Sequence, residues 1–173
     1  MTAVEVETEN PRSMVKPWRL LELGNSKWGR GISLVRAISA SHCVVHRLAE
    51  VMICSESFTP SPVPRTVALR KLSLRDLGFR EKRVVDLLRE VLPVAERRGL
   101  GPCPHSVAPE KCLQSTSGLI QKGQKLHVAM KPIGVGSVPL VFVLSVHESG
   151  WYRIGAASSR ILMPWDELIF VSL

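Results

Sequence analysis

The stretch RRGLGPCPHSVAPEKC, residues 97–112, decides how this chain is divided. It follows the clearest helical pattern in the sequence and precedes a run of strand-like segments. It also gathers Cys103, His105 and Cys112 among glycines and prolines. Read locally it is a connector: Gly99 ends a helix, and Pro102, Pro104 and Pro109 stiffen the path onward. The sequence carries no strong catalytic or cofactor motif, so it bounds the fold and the class of partner rather than the activity.

Upstream of that stretch lies EKRVVDLLREVLPVAERRG, residues 81–99. At 100° per residue, Val84, Val85, Leu87, Leu88, Val91, Leu92, Val94 and Ala95 share one half of the circumference. Lys82, Asp86, Arg89, Glu90, Glu96 and Arg97 take the other. Val84, Leu87, Leu88 and Val91 are expected to be buried, so Leu88→Ala would cost about 2–5 kcal/mol. Pro93 loses a backbone bond to Arg89, so the helix either kinks there, or it stops and a new turn begins with Pro93 at its first position. Arg97 and Arg98 suit the negative helix pole.

Further upstream, KPWRLLELG (16–24) reads as a first strand. Ile32, Val35, Ala37 and Ile38 suit a short helix, and a second is expected over 45–53. The proline-rich SESFTPSPVPR (55–65) is an extended connector. RTVALRKLSL (65–74) alternates imperfectly, as a strand with one exposed end would. Downstream, KLHVAMKPI (125–133), VPLVFVLSV (138–146), GWYRIG (150–155) and WDELIFVSL (165–173) read as strands. A hairpin tip is expected at Glu148-Ser149-Gly150. Gly134 and Gly136 form a lone G-x-G without a following helix, hence a loop.

These elements predict an α+β fold with helices packed on a mostly antiparallel sheet. Residues 1–15 read as a flexible acidic tail. Residues 16–173 form a single compact α+β domain, with sub-lobes 16–75 and 76–173 sharing one core. The 45% apolar content supports such a core. The N-terminus lacks the apolar region of a secretory signal, and the longest apolar run is half of what crossing a bilayer requires. Four cysteines in 173 residues make no disulfide scaffold. The expectation is a cytoplasmic protein with free thiols and no membrane association.

The formal charge of +8 is unevenly spread. Residues 1–11 carry three acids and no base, and residues 132–173 carry Arg153 and Arg160 against Glu148, Asp166 and Glu167. The excess lies between, densest at Arg65, Arg70, Lys71, Arg75, Arg80, Lys82 and Arg83. Clustered cations gather phosphate by counterion release. They are the candidate nucleic-acid-binding residues, with a solvated face as the plain alternative. Trp151 and Trp165 flank the last hairpin and are candidate interaction residues.

The opening stretch could also carry chemistry. Zinc needs four ligands, usually in close pairs. Cys103 and His105 lie one residue apart, Cys112 is remote, and His42 and His46 would have to join from afar. No metal and no cofactor are therefore expected. A nucleophilic Cys103 would need an orienting group and an oxyanion hole, and neither is visible. Three functions follow in order: an accessory protein binding nucleic acid or another polyanion; a protein–protein adaptor; a small thiol-dependent or hydrolytic enzyme centred on Cys103.

Several short motifs occur in order: KPWRLLELG, Cys43 before a helix with Ala49, Phe58-Thr59, KLSLRDLGF, the amphipathic helix, RGLGPCP, LHVAMKPI and WDELIFV. Together they resemble a family of small uncharacterised bacterial proteins, over roughly residues 17–171. The resemblance implies a compact cytosolic α+β protein and carries no activity or functional residue. Cys103 fits that pattern. His105 stands where such proteins have a small or apolar residue, and Cys112 also departs from it. On that comparison, the stretch is a connector with a packed cysteine.

Overall fold

A computed structural model describes residues 17–24, 27–81, 83–114 and 120–173. The expected acidic tail lies outside them. Strands are β1 (Arg19–Leu23), β2 (Cys43–Val45), β3 (Arg65–Ser73), β4 (Leu100–Gly101), β5 (Lys125–Val128), β6 (Ile133–Val135), β7 (Val138–Val146), β8 (Tyr152–Ser158) and β9 (Glu167–Ser172). Helices are α1 (Ile32–Ala40), α2 (Arg47–Cys54), α3 (Leu92–Glu96) and α4 (Val107–Leu113). A π-helical turn, Leu87–Val91, leads into α3.

The strands join in one sheet of order β1-β3-β9-β5-β7-β8-β2, with β4 against β9 and β6 against β7. This overturns the expected fold class. Strand makes up 35% of the chain against 23% helix, and the sheet is mixed and curled into a half-barrel. Parallel pairings occur in its middle, β5 with β9, and at its edge, β2 with β8. The physical reason is strand direction. The last strand, β9, lies between β3 and β5, which run in opposite directions, so only one of them can be antiparallel to it.

The curl follows from what α4 touches. This helix packs against β1 and also against β7 and β8. In sheet order β1 and β8 are five steps apart, about 24 Å across a flat sheet. A helix is only about 10–12 Å wide. The sheet therefore wraps around α4, and every residue from Val107 to Cys112 is buried. The expected connector is the inner plug of the fold. Pro109 sits in its first turn, where a missing N–H breaks no helical bond.

The amphipathic segment takes a different shape from the one expected. Val85 pairs with Leu162 as an isolated antiparallel bridge, and its backbone bonds run both ways (2.8 and 3.1 Å). Asp86 then caps the π-helical turn: its carboxylate accepts from Arg89 N–H, while Glu90 accepts from Asp86 N–H. Leu87 and Val91 are buried, but Val84 is 49% exposed and Leu88 54%. The expectation that all four are buried is thus corrected for Val84 and Leu88. Pro93 lies in the first turn of α3, but the helix neither stops there nor restarts with Pro93 in first position: Val91 and Leu92 keep helical φ/ψ, and the π-helical turn passes directly into α3. Gly99 adopts φ 73° and stops that helix as expected.

α1, α2, β3, β7 and β9 fall close to where the sequence placed them, whereas β1 begins only at Arg19, β5 ends at Val128 instead of running on to Ile133, and β8 extends to Ser158. The β7–β8 tip closes at His147, whose carbonyl accepts from Gly150 N–H at 2.9 Å. Gly134 belongs to β6 rather than to a loop, and Gly136 (φ 61°) makes the turn into β7.

Candidate functional site

The basic cluster begins in β3, where successive side chains alternate between faces. That alternation separates its members. Arg70 is half-buried and its Nε donates to Ser172 Oγ at 2.8 Å. Lys71 turns the other way, with its Nζ 3.4 Å from Glu167 and 6.0 Å from the Trp18 ring centroid. Arg65 is exposed at the start of the strand, on the wall of a cleft of about 370 Å³ shared with His105 and Lys131.

The rest of the cluster lies around the turn after β3. Asp76 builds that turn by accepting from Ser73 N–H and Oγ–H at 3.0 and 2.7 Å. The Ser73 hydroxyl bond holds the Asp76 carboxyl below its usual range. Arg75 N–H donates to Pro164 O at 2.8 Å, which fixes the backbone and leaves the side chain exposed. Arg80 is exposed on an open cleft of about 400 Å³ lined also by Gly78, Phe79, Glu81, Arg83 and Val85. Arg83 is committed to carboxylates, 2.7 Å from Glu90 and 3.6 Å from Glu81. Its hydrogen bond to Glu90 raises the Arg83 pKa and lowers that of Glu90. Lys82 lies outside the described residues.

Sequence reasoning missed one member. Arg98 was assigned to its own helix terminus, but its Nη1 donates to Asp76 O at 2.7 Å. Its guanidinium therefore lies over the 76–78 turn, beside Gly78 of the open cleft. Arg75, Arg80 and Arg98 thus gather around one turn, while Arg65, Arg70 and Lys71 lie along β3. Nothing in the local pattern around Arg98 marks this, because it depends on where α3 ends in space.

Trp151 and Trp165 are both exposed, at 47% and 55%. Register places them at the same end of the sheet, because Lys125 pairs with Ser145, Leu126 with Glu167, and Val146 with Tyr152. Two strands, β5 and β7, stand between them, a spacing of about 14 Å. Trp151 packs edge-on against His42 at 5.0 Å. A further apolar surface, not anticipated, is formed by Val84 and Ile161 (64% exposed) flanking the Val85–Leu162 bridge.

Cys103, His105 and Cys112 point to three different places. The Cys103 thiol donates to Ile169 O at 3.2 Å, and complete burial pushes its pKa far up. His105 Nδ1 accepts from Thr59 N–H at 3.1 Å, and Nε2 lies 2.8 Å from Lys131 O. These partners select the neutral Nε2–H tautomer, and burial lowers its pKa. Phe58 stacks on the ring at 5.9 Å. His105 is thus a clamp joining the 55–64 segment to the start of α4 and to the connection between β5 and β6. Cys112 meets Cys43, with sulfurs 2.9 Å apart. Among the described residues no group of three His, Cys, Asp or Glu side chains is arranged for a metal ion, and no helix is long and apolar enough to span a membrane.

No protein family, curated protein or solved structure matches this chain.

Proposed function

We propose that this protein is an accessory binding protein that holds a phosphate-rich polyanion, most simply nucleic acid, against the turn after β3. The observation that supports this reading is the convergence of Arg75, Arg80 and Arg98 on that turn. Arg75 and Arg80 are exposed and have no ion pair among the described residues. Arg98 spends one nitrogen on Asp76 O and keeps its charge. Guanidinium groups suit phosphate because their fork of donors matches its oxygens. Arg83 contributes less, since Glu90 and Glu81 neutralise it. No base-reading element stands out among the described residues, so binding is sequence-tolerant and strongly dependent on salt.

The test is retention of short single-stranded and duplex DNA and RNA at rising salt. The triple variant Arg75→Ser/Arg80→Ser/Arg98→Ser should weaken binding and reduce the log–log salt slope by about 2–3. Trp151→Ala should leave both unchanged. A wild-type protein that retains no nucleic acid at low salt would overturn the proposal.

An adaptor role is the second reading, and the exposed Val84–Ile161 surface supports it better than the separated tryptophans do. An apolar interface of that kind would be insensitive to salt. A thiol-enzyme role finds no support at Cys103, whose sulfur is buried and hydrogen-bonded to a backbone carbonyl.

A further inference from the structure

Cys43 and Cys112 are separated by 69 positions in sequence, yet their sulfurs lie 2.9 Å apart inside the protein. That is closer than unbonded sulfurs ordinarily pack, and closing to a bond of about 2.05 Å requires little further movement. Both side chains are almost wholly buried, at 2% and 1% exposure. The approach is built into the backbone. Among the described residues His42 is the only non-glycine with a left-handed φ (58°), and it turns the chain sharply from α1 into β2, immediately before Cys43. Cys112 comes from α4, the helix enclosed by the sheet.

We propose that Cys43 and Cys112 form an intramolecular disulfide that ties the edge strand β2 to the inner helix α4. Each end of α4 is otherwise held by side chains: His105 on one side, and Gln114 Nε2 donating to Glu22 O (2.6 Å) on the other. The cross-link adds a covalent hold on the middle of the assembly, between the strand at one sheet edge and the helix that reaches β1 at the other. The oxidant is a small disulfide such as glutathione disulfide. One cysteine thiolate attacks it and releases one glutathione. The second then attacks the mixed disulfide and releases the other, so two thiols lose two electrons and two protons to the reagent. Contact with Cys43, and then burial, push the Cys112 thiol up in pKa. Attack within the closed fold is therefore slow, and the bond forms as the chain folds.

The test uses the full chain carrying Cys54→Ser, which removes the exposed thiol. Cys43, Cys103 and Cys112 then remain. After refolding in a glutathione redox buffer, the free thiols should fall from all three to Cys103 alone. The mass should drop by two hydrogens, and a cross-linked peptide should join Cys43 to Cys112. The melting temperature should exceed that of the reduced protein by roughly 5–15 °C, as expected for closing a long loop. Adding Cys43→Ser or Cys112→Ser should abolish both cross-link and shift. The wild-type chain, refolded the same way and mapped by peptide analysis, supplies the readout should those variants fold poorly. Three thiols persisting at equilibrium, or a bond that maps to Cys103, would overturn the proposal.

Discussion

Two neighbouring segments behave oppositely. Residues 81–98 have the clearest helical periodicity in the chain, yet they form a bridge, a π-helical turn and one short helix, with Val84 and Leu88 in solvent. Residues 103–112 have prolines, two charges and no apolar stripe, yet they contain the most enclosed helix. The difference shows what periodicity measures. A stripe forms when one side of a helix faces water, so it marks half-buried elements. A helix surrounded by sheet and other helices needs no polar side. Glu110 and Lys111 are buried within it, and burial with the Arg19 charge lowers the Lys111 amine to about 8. Lys111 Nζ also lies 5.5 Å from the centroid of Tyr152, whose ring face attracts a cation.

The comparison can be tested by substitutions in each segment. The largest effect is expected next to the enclosed one. Phe58 is 1% exposed and packs between His105 and Phe142, so Phe58→Ala should cost about 3–5 kcal/mol in denaturant unfolding. A loss below about 1 kcal/mol would show that the 103–112 segment is loosely held. His105→Ala should cost about 2–4 kcal/mol, because it strands Thr59 N–H and Lys131 C=O and leaves a small cavity.

A smaller effect is expected from acid. Burial lowers the pKa of His105 below 6.5, so the folded state takes up that proton less readily than the unfolded chain. The sign follows: this contribution is complete above about pH 6.5 and declines as pH falls toward the folded pKa. His127, also lowered mainly by burial, acts in the same direction. The unfolding midpoint should therefore fall between about pH 7.5 and pH 5.5, and less so in His105→Asn. Equal midpoints at the two pH values would contradict a neutral, clamped His105. The smallest effect belongs to the other segment. Leu88→Ala should change stability by no more than about 0.5–1 kcal/mol, far from the core-sized penalty its helical position implies. A loss of about 2–5 kcal/mol would restore the simple amphipathic helix.

The candidate surface was legible in part for the same reason. Charge density along the chain identified the 65–83 region, since like charges near in sequence stay near in space. Strand alternation over 65–74 already puts Arg70 and Lys71 on opposite faces, but it could not show that their partners are Ser172 and Glu167, or that Glu90 engages Arg83. Nor could it place Arg98 at Asp76, 22 positions away. The two tryptophans flank no single hairpin: Trp151 precedes β8, Trp165 precedes β9, and β5 and β7 stand between those strands.

The sequence by itself determined the elements whose signal is local. The long strands β3, β7, β8 and β9 show alternating or continuous apolar runs. Gly150 lies in the β7–β8 hairpin tip, and Gly99 stops α3. Each depends on residues within a few positions, so short-range sterics and burial period suffice. Tertiary structure alone decided the rest. Strands of two or three residues, such as β2, β4 and β6, have too little length for a pattern and exist because a partner strand lies alongside. The placement of β9 between β3 and β5, the curl around α4 and the meeting of Cys43 with Cys112 join residues far apart in the chain. Those contacts are selected by how the whole apolar surface can be buried at once, and no local window of sequence contains that information.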